Sequence, residues 1–155
     1  MDFQFVALDH RNFEHLFGMK DEELAEHRAV RFHVDKCPDI PCRTTLEDAP
    51  VGETALLVNY THQKANTPYH ASHAVFVREN VETKQPTANE IPQLLRHRLL
   101  SLRAFDKNGM IVIADTVEGS DIEPTLKFML RDEAVAEVHV HYAKPGCFAA
   151  RVVRA

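Results

Sequence analysis

Glycine and cysteine are scarce in this chain, five and three among 155 residues, and each shortage removes a class of answer. No phosphate-cradling loop and no dinucleotide glycine fingerprint can be found. A small, odd number of cysteines does not make a disulfide framework, so free thiols in a reducing compartment are expected. No apolar run is long enough to span a bilayer, and Met1-Asp-Phe-Gln-Phe5 shows no basic segment leading into an apolar one; a cytoplasmic location with no membrane partner is the expectation. Positive charge is also in deficit. With 18 basic against 23 acidic residues, a net charge of -5 and a pI near 6.0, a dominant nucleic-acid surface is disfavoured, and no basic-aromatic motif argues for one. Internal repeats, low-complexity tracts and linkers are missing too, so residues 1–155 are expected to form one domain.

What is present is an ordinary globular composition, 45% hydrophobic and 26% charged, arranged in short periodic segments. Phe3 to Leu8 reads as a strand. Asn12 to Phe17 and Asp21 to His27 read as helical patches, the second opening on three acids that suit a helix N-terminus. Ala29 to Val34 alternates as a half-buried strand, with Val30, Phe32 and Val34 on the apolar side. Arg43 to Leu46 is a weaker strand candidate, after a proline-bounded loop from Cys37 to Cys42. Thr54 to Tyr60 is apolar on both faces, as in a central strand, Thr61 to His70 reads as an exposed loop, and Ser72 to Arg78 as another strand. Glu79 to Asn89 is polar, contains Pro86, and is expected to be a mobile loop. Ile91 to His97 suggests a short helix. Leu99 to Phe105 and Met110 to Val117, joined through Asp106-Lys-Asn-Gly109, predict a β-hairpin. Ser120 and Glu123 predict a capping box at the head of a helix whose apolar side is Ile122, Leu126, Met129 and Leu130. Val135 to Tyr142 and Phe148 to Val153 predict a second hairpin. Hairpins with helices at intervals imply an α+β fold, a largely antiparallel β-sheet of about six to eight strands with two to four helices packed mainly on one face.

Histidine is the compositional oddity, ten residues against three tyrosines, and the densest chemistry lies in Glu137-Val-His-Val-His-Tyr-Ala-Lys-Pro-Gly-Cys147. Alternation puts His139 and His141 on one side of a strand, two residues apart, as a metal pair would need, with His73 or His70 as a third ligand. The same alternation is what the solvent face of a one-sided sheet requires, and no third ligand has diagnostic spacing. No residue is therefore assigned to a metal, and no cofactor is assigned. Arg103 lies between Leu99 and Phe105 on a face opposite a wholly apolar one, where it either snorkels to water or takes an anion two-handed. His73 begins the face of Val75 and Val77, the place of a hydrogen-bonded core residue or of a proton-transfer group. Cys42 beside Arg43, and Cys147 beyond His141 across a turn, allow a Cys/His nucleophilic pair, whereas loop cysteines are more commonly inert.

Pro41-Cys42-Arg43, Asn59-Tyr60, Pro68-Tyr69 with Ala71-Ser72-His73, Leu102-Arg103-Ala104-Phe105-Asp106, and Val138-His-Val-His141 with Lys144-Pro-Gly-Cys147 together resemble a family of short bacterial proteins, the domain of unknown function 1203. The resemblance spans essentially the whole chain. It implies a bacterial source and a self-contained domain, and it supplies no activity, cofactor or catalytic residue. The residues themselves favour a small anionic molecule bound in a His/Arg-lined cleft, with its transformation there left open by the residue types. Arg103, Arg43, His139 and Tyr69 are the candidate ligand-binding groups, and His73, His141 and Cys147 the candidate catalytic ones. One alternative is a non-catalytic interaction module, for instance a homodimer formed through a sheet edge or apolar patch; another is a metal-dependent hydrolase.

Overall fold

The tight turn at Asp106-Lys107-Asn108-Gly109 sets the register of the larger of two sheets. Gly109 takes a positive φ of 82°, and the Asp106 carboxylate accepts from the backbone N–H groups of Asn108 and Met110 at 2.8 and 3.0 Å. A computed structural model describes residues 1–155. Its elements are strands β1 (Phe3–Val6), β2 (Val30–His33), β3 (Thr54–Gln63), β4 (Ala71–Arg78), β5 (Leu99–Phe105), β6 (Ile111–Glu118), β7 (Glu137–Tyr142) and β8 (Phe148–Arg154). The helices are α1 (Asp21–Glu26), α2 (Gln93–Arg96) and α3 (Ile122–Arg131). The α+β fold holds, and the eight strands divide into two antiparallel sheets, ordered β1-β8-β7-β5-β6 and β2-β3-β4. Both expected hairpins, β5–β6 and β7–β8, form.

One face of the five-stranded sheet is apolar because alternate residues of its strands make it so: Phe3 and Phe5, Leu100, Leu102 and Ala104, Val138 and Val140, Ala150 and Val152. The helix α3 lies on that face through Ile122, Leu126, Met129 and Leu130, all four with no exposed surface, joined by Leu94 and Leu95 of α2. Burying each such side chain contributes roughly 1.5–3 kcal/mol. The expected capping box does not form. Ser120 falls in a 3-10 turn, Gly119–Asp121, that precedes α3, and no side chain caps the helix.

The opposite face is also covered. Leu56 and Val58 of β3 with Val75 and Val77 of β4 form the inner side of the smaller sheet, and they pack with Phe148 of β8, with Phe13 and Leu16 of the segment between β1 and α1, and with Leu24 of α1. The larger sheet is thus a middle layer, helix on one side and sheet on the other. Residues 41–48 join the two sheets: the Arg43 N–H donates to the Phe76 carbonyl of β4, and the Leu8 N–H just beyond β1 donates to the Arg43 carbonyl, both at 2.9 Å.

Two expectations change here. Strand β2 lies at a sheet edge, and Val30 and Phe32, expected to face a core, are 55% and 39% exposed. The 79–89 segment has no regular structure but is pinned along β1. Gln85 exchanges two hydrogen bonds with the Ala7 backbone, and Asn89 does the same with the backbone of Phe3. No helix is long and apolar enough to cross a membrane.

Candidate functional site

The side of β7 that carries histidines faces the smaller sheet rather than solvent, which overturns the solvent-face reading of the His-x-His alternation: His139 is 1% exposed and His141 not at all. Pairing with β5 sets Arg103 directly opposite His139 and Ser101 opposite His141, so the guanidinium and the imidazoles share a face. From the other sheet, His73 sits on β4 opposite Tyr60. The strand β3 runs past Tyr60, and its register shifts between Thr61 and Gln63, leaving His62 as the extra residue of a bulge. Bulges turn side chains out of the regular alternation, and here the side chain meets the other imidazoles. His62 stacks on His73 with centroids 4.9 Å apart and stands edge-on to His141 at 4.8 Å; His73 and His141 are 5.2 Å apart. Phe148 stacks on the far side of His62 at 5.2 Å.

One ring nitrogen from each of His62, His73 and His141 lies within 4.8 Å of the other two. His62 Nε2, His73 Nδ1 and His141 Nε2 are buried without a hydrogen-bond partner; only Thr45 Oγ1 shares that condition, so the unsatisfied polar atoms of the interior are concentrated here.

The remaining nitrogens are held. His139 Nε2 donates to Glu137 Oε1 at 2.9 Å, and Glu137 also accepts from Arg151 at 3.1 Å. The hydrogen bond from His139, with Arg151 assisting, holds the Glu137 carboxyl below its ordinary range against the opposing effect of burial. His62 Nδ1 and His139 Nδ1 are joined by a hydrogen bond at 3.0 Å, in which His62 donates when His139 gives its single proton to Glu137. His141 Nδ1 donates to the Gly146 carbonyl at 3.0 Å. The network therefore assigns lone pairs to the unpartnered Nε2 atoms of His62 and His141. Burial, with the nearby cations adding to it, pushes His62 down to about 3 and His141 to about 2, and burial together with Arg103 lowers His73 as well. All three imidazoles are neutral at physiological pH. Arg103 itself makes no hydrogen bond or ion pair to the protein, and its own value is lowered by burial.

His73 also lines a separate cleft of about 620 Å³ between the sheets, with Arg43, Arg98, Tyr142, Lys144 and Cys147 among its walls. Arg43 is 2% exposed and yet forms no ion pair. Its guanidinium donates to the carbonyls of Phe148 and Pro41 at 2.8 and 2.7 Å and to Cys147 Sγ at 3.0 Å, and lies 5.1 Å from the centre of the Tyr142 ring. Arg98 covers the same ring at 5.4 Å and pairs with Asp48 at 2.7 Å. Burial raises the Tyr142 hydroxyl well above its usual range, so it stays protonated.

The structure accordingly divides the residues singled out from sequence. His73, His141 and Arg103 share the interior cluster, with His139 bonded to it from behind; Arg43 and Cys147 share the cleft with His73. Cys147 is joined to Arg43 rather than paired with His141. Tyr69 stands 6.2 Å from Phe105 and outside both groups, His70 is exposed, and Cys42 is buried beside Thr44. Sequence reasoning missed His62 of the cluster, and Arg98 and His97 of the cleft wall. His62 did carry a signal, since Val58, Tyr60 and His62 continue one alternation.

Residues 39–154 match the family described as Protein of unknown function (DUF1203), and the chain belongs to that family. The matched span contains every member of the histidine cluster and of the cleft. No curated protein and no solved structure matches the chain.

Proposed function

We propose that the protein binds a small anionic molecule, a carboxylate or phosphate, in the cleft between its two sheets, with Arg43 and Lys144 as the groups that attract it. The observation that carries this reading is Arg43: a guanidinium almost without exposure and without a carboxylate partner. An unpaired buried cation is costly, and an anion delivered to it relieves that cost. The wall of the cleft supports the same sign. Lys144 forms no ion pair, Arg98 is neutralised by Asp48, and Asp39 is the one carboxylate lining the space. A volume of about 620 Å³ suits a small organic ligand.

Calorimetric titration with inorganic phosphate and with oxalate tests the reading. Saturable binding is expected for at least one of them, weakened about tenfold or more in Lys144→Glu, a substitution at an exposed position that the fold tolerates. Absence of saturable binding, or equal affinity in the variant, removes the proposal. The alternative of an interaction module draws on Val30 and Phe32, exposed on the edge strand β2. Sedimentation that finds a monomer across a wide concentration range would count against a homodimer built there.

A further inference from the structure

The geometry points to a divalent transition-metal site held by His62, His73 and His141, one ligand from the bulge of β3, one from β4 and one from β7. The inference stands on its own observations and does not require the anion reading.

Spacing alone could not assign it, because His139 and His141 offered two candidates and no third. The second sheet changes which two matter: His139 stays behind, and two residues from β3 and β4 complete the set. Three neutral imidazoles are the donor set of a catalytic-type zinc site with an open position, and imidazole suits zinc, iron, copper and nickel alike. Ligand bonds of 2.0–2.1 Å to a tetrahedral ion need nitrogens about 3.3 Å apart. The three nitrogens lie within 4.8 Å of one another, so the rings must draw together by at most about 1.5 Å to hold an ion.

Behind the ligands stands the supporting arrangement that metal-binding histidines use, in which the other ring nitrogen is hydrogen-bonded so that tautomer and orientation are fixed. His141 Nδ1 is bonded to the Gly146 carbonyl, and His62 Nδ1 to His139, itself bonded to the Glu137 carboxylate. The carboxylate thereby strengthens His62 as a donor through one intervening ring. A purely structural account treats the three rings as core aromatics stacked with Phe148. That account leaves three buried nitrogens without partners, each costing about 1–3 kcal/mol, where phenylalanine or leucine would pack as well. It gives no reason for histidine at all three positions, and a cation gives one.

Arg103 opposes a bare cation electrostatically, since its charge lies close enough to lower all three imidazoles. It favours a metal that carries an anionic ligand, the guanidinium taking the far side of that anion. Because His73 belongs to both the cluster and the cleft, the metal would meet an anion entering from the cleft. That last step rests on the anion reading.

The test uses full-length protein purified without a histidine tag, stripped with a chelator and titrated with Zn(II) and Co(II). One equivalent of either ion is expected, with the visible bands of four-coordinate Co(II) and a rise in melting temperature at saturation. His73→Leu and His141→Ala should each lose the Co(II) bands and weaken Zn(II) binding at least 100-fold, while His27→Ala, at an exposed position, should not. Circular dichroism establishes that each variant is folded. Should His141→Ala fail to fold, His73→Leu carries the test, because His73 makes no hydrogen bond that the substitution would break. Zn(II) affinity unchanged in His73→Leu, or no stoichiometric binding by the parent protein, overturns the inference and leaves a bound water as the partner of these nitrogens. Phosphate titration of metal-free and metal-loaded protein separates the two readings. Anion binding without metal binding sinks only the metal, metal binding with neither phosphate nor oxalate bound sinks only the cleft, and tighter phosphate binding in the loaded protein supports their coupling.

Discussion

Strand β7 is buried on both sides, and the two sides solve burial differently. Val138 and Val140 meet Leu126, Met129 and the rest of the α3 side in a layer of apolar side chains, these four without exposed surface. One residue over, His139 and His141 are equally enclosed, but they meet His62, His73 and Phe148, and three imidazole nitrogens end without partners. The first face is what stability alone would select. The second is less stable than the apolar packing available to it, and such local departures from good packing are where proteins place function.

The widest separation between the faces comes from truncating the first. Leu126→Ala removes a fully buried side chain from the α3 layer and should lower the unfolding free energy by about 2–5 kcal/mol in urea titration. It should leave Zn(II) and phosphate affinity unchanged, since Leu126 belongs to the other face of the sheet. A loss of metal affinity in the folded Leu126→Ala protein would mean that the two faces are not independent.

Acid attacks the second face selectively. In the metal-free protein His62 and His141 stay neutral down to about 3 and about 2, whereas in the unfolded chain they protonate near 6.5. Between those limits the unfolded state binds more protons, so stability is complete above pH 6.5 and falls as pH is lowered through that window. Each ring can steepen the fall by as much as about 1.4 kcal/mol per pH unit. Urea unfolding at pH 7.0, 6.0 and 5.0 measures it, and His141→Ala should flatten the curve. An equally steep curve in that variant would assign the acid sensitivity to other groups.

The two faces also differ in how far the sequence showed them. Hydrophobic period and turn chemistry announced the apolar face: Asn108-Gly109 fixed one hairpin, and Ile122, Leu126, Met129 and Leu130 marked the buried side of α3, all from neighbours in sequence. The capping box failed because the chain enters α3 through a 3-10 turn at Gly119–Asp121, a choice the pattern Ser-x-x-Glu does not exclude. The histidine face depends on contacts between sheets, which local patterns do not encode. His139 and His141 were seen to share a side, but whether that side met water or a second sheet was decided by β3 and β4, more than sixty residues away in the chain. His62 continues the alternation of Val58 and Tyr60 but lay in the stretch 61–70 read as an exposed loop, whereas β3 runs on to Gln63 through a bulge. In β2 the alternation was right and the burial was not, since Val30 and Phe32 lie on an edge strand where Phe32 meets only the edge of Phe76 and both stay largely exposed.

A smaller effect tests how the turn after β7 supports the histidine face. Gly146 has a positive φ of 78°, and a Cβ built there would meet no atom within 4 Å. Gly146→Ala therefore adds backbone strain without crowding, and should cost about 1 kcal/mol in urea unfolding. Its carbonyl accepts from His141 Nδ1, so a turn that relaxes to relieve the strain would also loosen His141. Zn(II) affinity reduced several-fold in Gly146→Ala, beside unchanged affinity in Leu126→Ala, would tie the turn to the site.

The smallest expected change in stability is the most informative. The His73 side chain makes no hydrogen bond within the protein, its Nδ1 is buried without a partner, and its ring is stacked on His62. Leucine in its place keeps apolar contact and removes an unsatisfied polar atom, two effects that offset the loss of ring stacking. His73→Leu should therefore alter the unfolding free energy of the metal-free protein by less than about 1 kcal/mol, in either direction. The comparable substitution on the apolar face costs several times as much and changes no binding. A loss of several kcal/mol in His73→Leu would show the imidazole to be a structural member of the interior with a bonded partner, and would close the gap between the faces. Near-zero cost together with loss of the metal means that histidine is kept at this position for what it binds, since the fold itself is served as well by leucine.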